Sequence, residues 1–276
     1  MTVHQNIKLP ETRSKLRIDG ISHRFDDRLG GVLAISDITL DIRPNSFVSL
    51  VGQSGCGKST LFNILAGLLH PSAGRVLHDG KDITGRAGLM SYMLQKDLLL
   101  PWRTVLDNVI FGLEIQGADR PAARDFARPL LARYGLGAFE THFPVSLSGG
   151  MRQRAALLRT LLCDRDVMLL DEPFAALDAQ TRFSMQQWLL TLWKDFARTV
   201  LFVTHDVDEA IFLSDEIVVL SPRPARVREQ IPVPLPRPRP REILTSPEFV
   251  RIKQRCLALL FDGSTGPKGE DEGPAP

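Results

Sequence analysis

Apolar and polar residues alternate with period two in Leu16-Arg17-Ile18-Asp19-Gly20-Ile21 and again in Ile38-Thr39-Leu40-Asp41-Ile42. Successive side chains of a strand point to opposite faces, so both stretches predict strands with one covered face. The polar, glycine-containing Asp26 to Gly31 between them reads as a loop. A second pattern is the short, almost wholly apolar run. It occurs at Phe47-Val48-Ser49-Leu50-Val51, Val167 to Leu170, Val200 to Val203 and Ile217 to Leu220. Such runs predict strands buried on both faces, as in a parallel sheet between layers of helices.

Arg75 to His78, the dipeptide Asp79-Gly80 and Lys81 to Ile83 predict a hairpin with a type I′ turn. Leu89 to Leu94 predicts a further strand ending at Gln95. From Leu98 the period becomes helical. Thr104 is placed to cap a helix with Asp107 three residues on and Val105, Val109 and Leu113 as its apolar face. A second helix spans Pro121 to Tyr134, and Pro129 inside it is expected to kink or end it. Residues 98–150 thus form a helical insert between strand-rich parts. From Pro222 to Arg241, proline and arginine dominate, which predicts an edge strand at Val227 to Ile231 within an extended linker. The basic run reads as a solvated tether or as a site for anionic lipid headgroups. Ser246 to Phe261 predicts a short helix; Met1 to Lys15 and Asp262 to Pro276 read as disordered.

Directly after the run Phe47 to Val51 stands Gly52-Gln53-Ser54-Gly55-Cys56-Gly57-Lys58-Ser59-Thr60. Gly52, Gly57, Lys58 and Ser59 fit the G-x-x-x-x-G-K-[ST] phosphate loop. Glycines let successive backbone N–H groups converge on an anion, the lysine reaches the β/γ-phosphates and the serine hydroxyl ligates Mg²⁺. The helix that begins near Lys58 adds the positive end of its dipole. A nucleotide site is therefore expected before any other chemistry. Asp171 and Glu172 close the apolar run Val167 to Leu170, where P-loop enzymes hold the metal. Asp171 is expected to bind it through water, and Glu172 to polarise the attacking water. His205 follows the run Val200 to Val203 and is a candidate γ-phosphate contact. Ser148-Gly149-Gly150 opens a helix with Ala155, Leu158 and Leu162 on its apolar face, giving a second anion-directed helix end.

Composition narrows the setting. The chain has 276 residues, 43% hydrophobic and 24% charged, the composition of an ordinary soluble globular protein. Its net charge of +2, spread out except in one late segment, says little about nucleic acid, which is not expected as a partner. Cys56, Cys163 and Cys256 have neither metal-ligand nor disulfide spacing, which suits a reducing compartment, and the Cys56 side chain is read as incidental to the loop. The polar start is not a signal peptide, and no run approaches the roughly 20 apolar residues of a membrane span. Any membrane association is expected to come through a partner.

With these motifs in this order, the chain resembles the ATP-binding cassette (ABC) ATPases over about residues 16–236. The resemblance implies an α/β fold: a P-loop NTPase (RecA-like) core, an antiparallel β subdomain and an inserted α-helical subdomain at about 98–150. Residues 237–276 would then be linker, short helix and tail. It implies a head-to-tail homodimer in which ATP lies between residues 52–60 of one subunit and Leu147 to Gly150 of the other. It makes Gln95 the Q-loop glutamine, a ligand of Mg²⁺ and water, and places Gln153 beside the nucleotide. Asp178, in Ala176-Leu177-Asp178, becomes the D-loop aspartate, His205 the switch histidine and Phe25 the ring that stacks on adenine. Leu98 to Val109, Phe174 to Arg182 and Ile231 to Arg239 are similar to importer ATPases of the nitrate/sulfonate/taurine group. That likeness implies permease subunits docked on Leu98 to Trp102, a solute-binding protein beyond them and a place on the cytoplasmic face of the membrane. A soluble ABC ATPase without a transporter, an exporter ATPase and a P-loop kinase stay open at this level.

Overall fold

The computed structural model describes residues 14–26 and 31–261. The chain runs through β1 (Leu16–Phe25), β2 (Val32–Ile42), β3 (Phe47–Val51), α1 (Lys58–Leu65), β4 (Ala73–His78), β5 (Lys81–Asp82) and β6 (Ser91–Met93). The helical segment follows with α2 (Val105–Val109), α3 (Phe111–Ile115), α4 (Arg120–Arg133) and α5 (Gly149–Leu161). It closes with β7 (Val167–Asp171), α6 (Ala179–Phe196), β8 (Thr199–Thr204), α7 (Val207–Leu213), β9 (Glu216–Leu220), β10 (Val227–Pro232) and α8 (Pro247–Phe261).

The strands sort as their hydrophobic periods require. The alternating ones build an antiparallel sheet in the order β2-β1-β4-β5. The apolar runs β3, β7, β8 and β9, with the short β6 and the polar edge strand β10, build a six-stranded sheet in the order β10-β9-β3-β8-β7-β6. In the second sheet all pairs are parallel except β10 with β9. Each apolar strand divides its side chains between two cores. Phe47 and Val51 of β3, with Met168, Leu170, Val200 and Phe202, pack on α5 to α8. Val48 and Leu50, with Val167, Leu169, Leu201 and Val203, pack on α1 and the antiparallel sheet. Central β3 therefore presents its carboxyl end, and the loop after it, between the ends of β8 and β9.

The hairpin turn is as expected, with Asp79 and Gly80 both at positive φ. Thr104 caps α2, its Oγ1 accepting from the Asp107 N–H at 3.2 Å. The strand expected over Leu89 to Leu94 is shorter, Ser91–Met93. Pro129 does not end its helix: α4 continues to Arg133. The proline lies on the exposed face, so the carbonyl it leaves without an N–H donor is open to water. The linker expectation after β10 also fails. Val233 and Leu235 are buried, and Arg237 and Arg239 are bonded to Asp215 and to the end of α7, because each guanidinium finds several carbonyl acceptors there. α8 is docked by Phe249, Ile252 and Cys256, one helical stripe, all buried. Lys15 is held by Asp79 and Asp166; Met1 to Arg13 and Asp262 to Pro276 lie outside the described residues.

Candidate nucleotide site

The loop 52–57 turns from β3 into α1 on conformations that only glycine adopts easily. Gly57, the residue before α1, has φ +128°, and a Cβ there would stand 3.0 Å from the Ala34 carbonyl oxygen. Lys58 is buried, and its Nζ donates to the Gly52 and Gln53 carbonyls at 2.8 and 3.1 Å. The ammonium is thereby folded over its own loop, at the start of a helix with no acidic residue in its first turn. A cavity of about 270 Å³ opens here, lined by Ser54, Gly55, Gly57 to Thr60, Gln95, Glu172 and Arg223. Gln53 and Cys56 do not line it. The Gln53 amide reaches Leu260 O at the end of α8, and Cys56 is buried with its N–H donating to Gln53 O at 3.2 Å, so neither side chain faces the cavity.

Asp171 ends β7, 5% exposed, within hydrogen-bond reach of Ser59 and 3.5 Å from the Tyr92 hydroxyl. Burial pushes its carboxyl above the ordinary range; the Ser59 hydrogen bond and the Lys58 charge pull it back, and Glu172 adds to the rise. A carboxylate desolvated in this way is relieved by a cation. The Asp171 carboxylate, Ser59 hydroxyl and Gln95 amide oxygen are hard donors that suit Mg²⁺. Glu172 sits in the left-handed region at φ +45°, a strain of about 1–3 kcal/mol for a non-glycine residue. Its N–H donates to Val203 O at 2.9 Å, and its Oε2 lies 3.1 Å from His205 Nδ1. Since β7 and β8 are paired in parallel with Asp171 opposite Val203, their next residues meet at one end of the sheet.

The second anion-directed helix end is elsewhere. Ser148 caps α5, its Oγ accepting from the Met151 N–H at 3.3 Å. Gly150 lies so close to α6 that a Cβ would meet Thr181 Cγ2 at 3.0 Å. Asp178 caps α6 through the Gln180 and Thr181 N–H groups at 3.1 and 3.0 Å. Ser148, Gly149, Gly150 and Asp178 do not line the cavity over Lys58, so a single chain does not bring these groups together. Gln153 is buried and lines, with Gln95 to Leu98, Ala175 and Ala176, a neighbouring cavity of about 630 Å³; Gln95 belongs to both. Phe25 is half-exposed at the end of β1 with its ring against His23, outside the cavity.

Four contributors escaped sequence reasoning. Arg223 donates to Gly55 O at 2.8 Å and forms a wall of the cavity, although it lies far along the chain in the proline-rich stretch. Tyr92 bridges Asn63 and Asp171 from the middle of an apolar strand. Arg152 and Arg159 of α5 hold the segment after Gln95, bonding Asp97 and the Leu98 carbonyl. No local pattern signals any of these contacts; each depends on the order of strands in the sheet.

A phosphate loop at the end of a central parallel strand, with Asp171 and Glu172 beside it, defines a P-loop nucleoside triphosphatase. The profile described as ABC transporter matches residues 35–175. An uncharacterized ABC transporter ATP-binding protein of Methanocaldococcus jannaschii is 44% identical over 255 residues, 92% of this chain and 94% of that protein. The taurine import ATP-binding protein TauB of Yersinia pestis is 42% identical over 236 residues, 84% of this chain and 92% of that one. Among solved structures, a dimeric bacterial ABC transporter cassette matches with TM-score 0.70 at 28% identity, over 79% of this chain and 98% of that chain. Structure cbiO1 from Clostridium perfringens, part of the ABC transporter complex cbiONQ, matches with TM-score 0.72 at 25% identity, over 87% and 94%. The chain belongs to the ABC transporter family, as an ATP-binding, ATP-hydrolysing subunit.

Proposed function

We propose that this chain is the ATPase subunit of a bacterial importer for a small solute of the nitrate/sulfonate/taurine kind, working as a homodimer on the cytoplasmic face of the membrane. The observation that carries the dimer is the separation within one chain of two anion-directed helix ends, at Lys58 and at Ser148. Two copies facing opposite ways give each phosphate loop its partner's Ser148 to Gly150. The likeness to an importer subunit supports the transport reading. Among the described residues no helix is long and apolar enough to cross a membrane, so translocation is assigned to permease subunits. They would dock on Leu98 and Trp102, which are both exposed, Leu98 itself lining the cavity shared by Gln95 and Gln153. A solute-binding protein would act on the far side of the permease.

In the closed dimer, Gly52 to Thr60 wrap the triphosphate with backbone N–H groups, and Lys58 compensates β/γ charge. Ser59, Asp171 and Gln95 would hold Mg²⁺, which supplies charge neutralisation when bound. Glu172 orients and polarises the attacking water, and His205, fixed beside it, contacts the γ-phosphate. Phe25 is assigned to the adenine, and Asp178 and Gln153 to the seam between subunits. Contacts made only in the closed dimer let ATP shift the conformational balance and move the docked permease. Reconstitution with a permease and a solute-binding protein of the taurine/sulfonate importer kind tests this reading. ATP-dependent taurine or sulfonate uptake is expected; a protein that neither binds the permease nor supports uptake overturns it.

A further inference from the structure

The ATPase reading leaves unused the proline- and arginine-rich segment that follows β10. Arg239 in that segment is 4% exposed, its Nη1 donating to Ile211 O and Phe212 O at 2.8 Å and its Nη2 to Leu235 O at 3.1 Å. Arg237 reaches Asp215 Oδ1 through Nε and Nη2, at 3.2 and 2.9 Å, and lies 4.6 Å from the centre of the Trp193 ring. Between these arginines and α6 is a cavity of about 520 Å³. It shares no lining residue with the nucleotide cavity.

The charge around this cavity does not balance. Lys194, Arg237 and Arg239 all line it, whereas Asp215, held by Arg237, is the carboxylate that acts on Arg239. All the acceptors of Arg239 are neutral carbonyls, and burial, followed by the nearby Arg237 charge, lowers its guanidinium to about 10. Arg239 Nε and Arg237 Nη1 are buried with no hydrogen-bond partner among the described residues. A buried cation without a carboxylate of its own costs free energy that an anion placed nearby would offset. The rest of the wall differs in character: Leu190, the Trp193 ring and Pro238 offer an apolar surface. Ligand sites typically combine such a surface with a few convergent polar groups.

We propose that this cavity binds an amphiphilic organic anion. Its phosphate or carboxylate head would pair with Lys194, Arg237 and Arg239, and its alkyl or aryl body would lie on Leu190, Trp193 and Pro238. The anion is either a free amphiphile or a lipid headgroup with part of its chain. The test titrates the full-length protein with monomeric octyl phosphate, following heat and tryptophan fluorescence. Saturable binding at one site per chain is expected, with a fluorescence change absent in Trp193→Phe. Inorganic phosphate and octanol should each bind at least about tenfold more weakly. Lys194→Glu and Leu190→Glu, at the cavity rim, should weaken binding by about tenfold or more while leaving basal ATP turnover and the circular dichroism spectrum unchanged. Co-sedimentation with phosphatidylcholine vesicles containing phosphatidic acid, sensitive to the same substitutions, assigns a lipid; binding of octyl phosphate alone assigns a free amphiphile. No saturable binding at millimolar octyl phosphate, equal affinity in wild type and both variants, or equal affinity for inorganic phosphate overturns the site.

Discussion

The Glu172 carboxylate and the His205 imidazole stand 3.1 Å apart, each just past the end of its strand in the neighbouring pair β7 and β8. The contact fixes a strained residue. Glu172 is held at φ +45° by its N–H bond to Val203 O, so its side chain is aimed before any nucleotide arrives. Pre-aimed groups do not have to reorganise during reaction, the condition for electrostatic catalysis.

Glu172→Gln preserves shape and removes the base. ATP turnover is expected to fall by about 10²–10⁴-fold, with ATP affinity retained and an ATP-loaded dimer accumulating. Phosphate release and size-exclusion chromatography with ATP read both. Turnover near the wild-type level would refute the base assignment.

Lys58→Ala removes the ammonium that bonds Gly52 O and Gln53 O. Loss of nucleotide binding is expected, by about tenfold or more, since hydrogen bonds to charged groups contribute about 1.5–3 kcal/mol each. Titration with a fluorescent ATP analogue checks it; unchanged affinity would contradict the phosphate role.

Gly57→Ala tests the loop's backbone. A methyl group would stand 3.0 Å from Ala34 O at a φ of +128°, and strain of about 1–3 kcal/mol is expected. Urea unfolding should show that loss, and ATP affinity should fall with it; an unaltered midpoint would mean that the loop relaxes freely.

Asp107 ties α2 to α4, its carboxylate lying 2.7 Å from Arg124 Nη2 and 3.0 Å from Arg120 Nη2. Burial alone would raise the Asp107 carboxyl, but Arg124 and then Arg120 outweigh it and hold the group below its ordinary value of 3.8. A depressed carboxyl contributes stability above its unfolded value, and that stability is lost as pH falls through the folded one. Asp107→Asn should therefore cost about 1–2 kcal/mol at pH 7, the low end because both arginines are more than a third exposed. The gap from wild type should close at acid pH; urea midpoints at neutral and acid pH decide, and a gap independent of pH would assign the effect to packing.

Much of this was legible before folding. The period of the apolar residues separates the two sheets, because period two leaves one face wet and unbroken runs leave none. Thr104 and Ser148 announce their helices, since a cap acts within three residues of itself. Pro129 does not end its helix, because a proline's cost depends on whether the carbonyl it orphans faces water, and local sequence does not say which face that is. The basic tether misled for a related reason. Arginine is read as solvated by default, and only the carbonyls at the end of α7, which have no helical N–H donor, make burial favourable.

The sequence by itself determined the phosphate loop, the carboxylates after the apolar run and the glycine-led helix, because each is a matter of spacing along a few residues. The tertiary structure decided which of them meet. Placing β3 between β8 and β9 brings residues from distant parts of the chain to one end of the sheet. Arg223 reaches Gly55 and Tyr92 reaches Asp171 there, while Ser148 stays outside the cavity over Lys58. Strand order is set by the packing of whole layers, and no short stretch of residues encodes it.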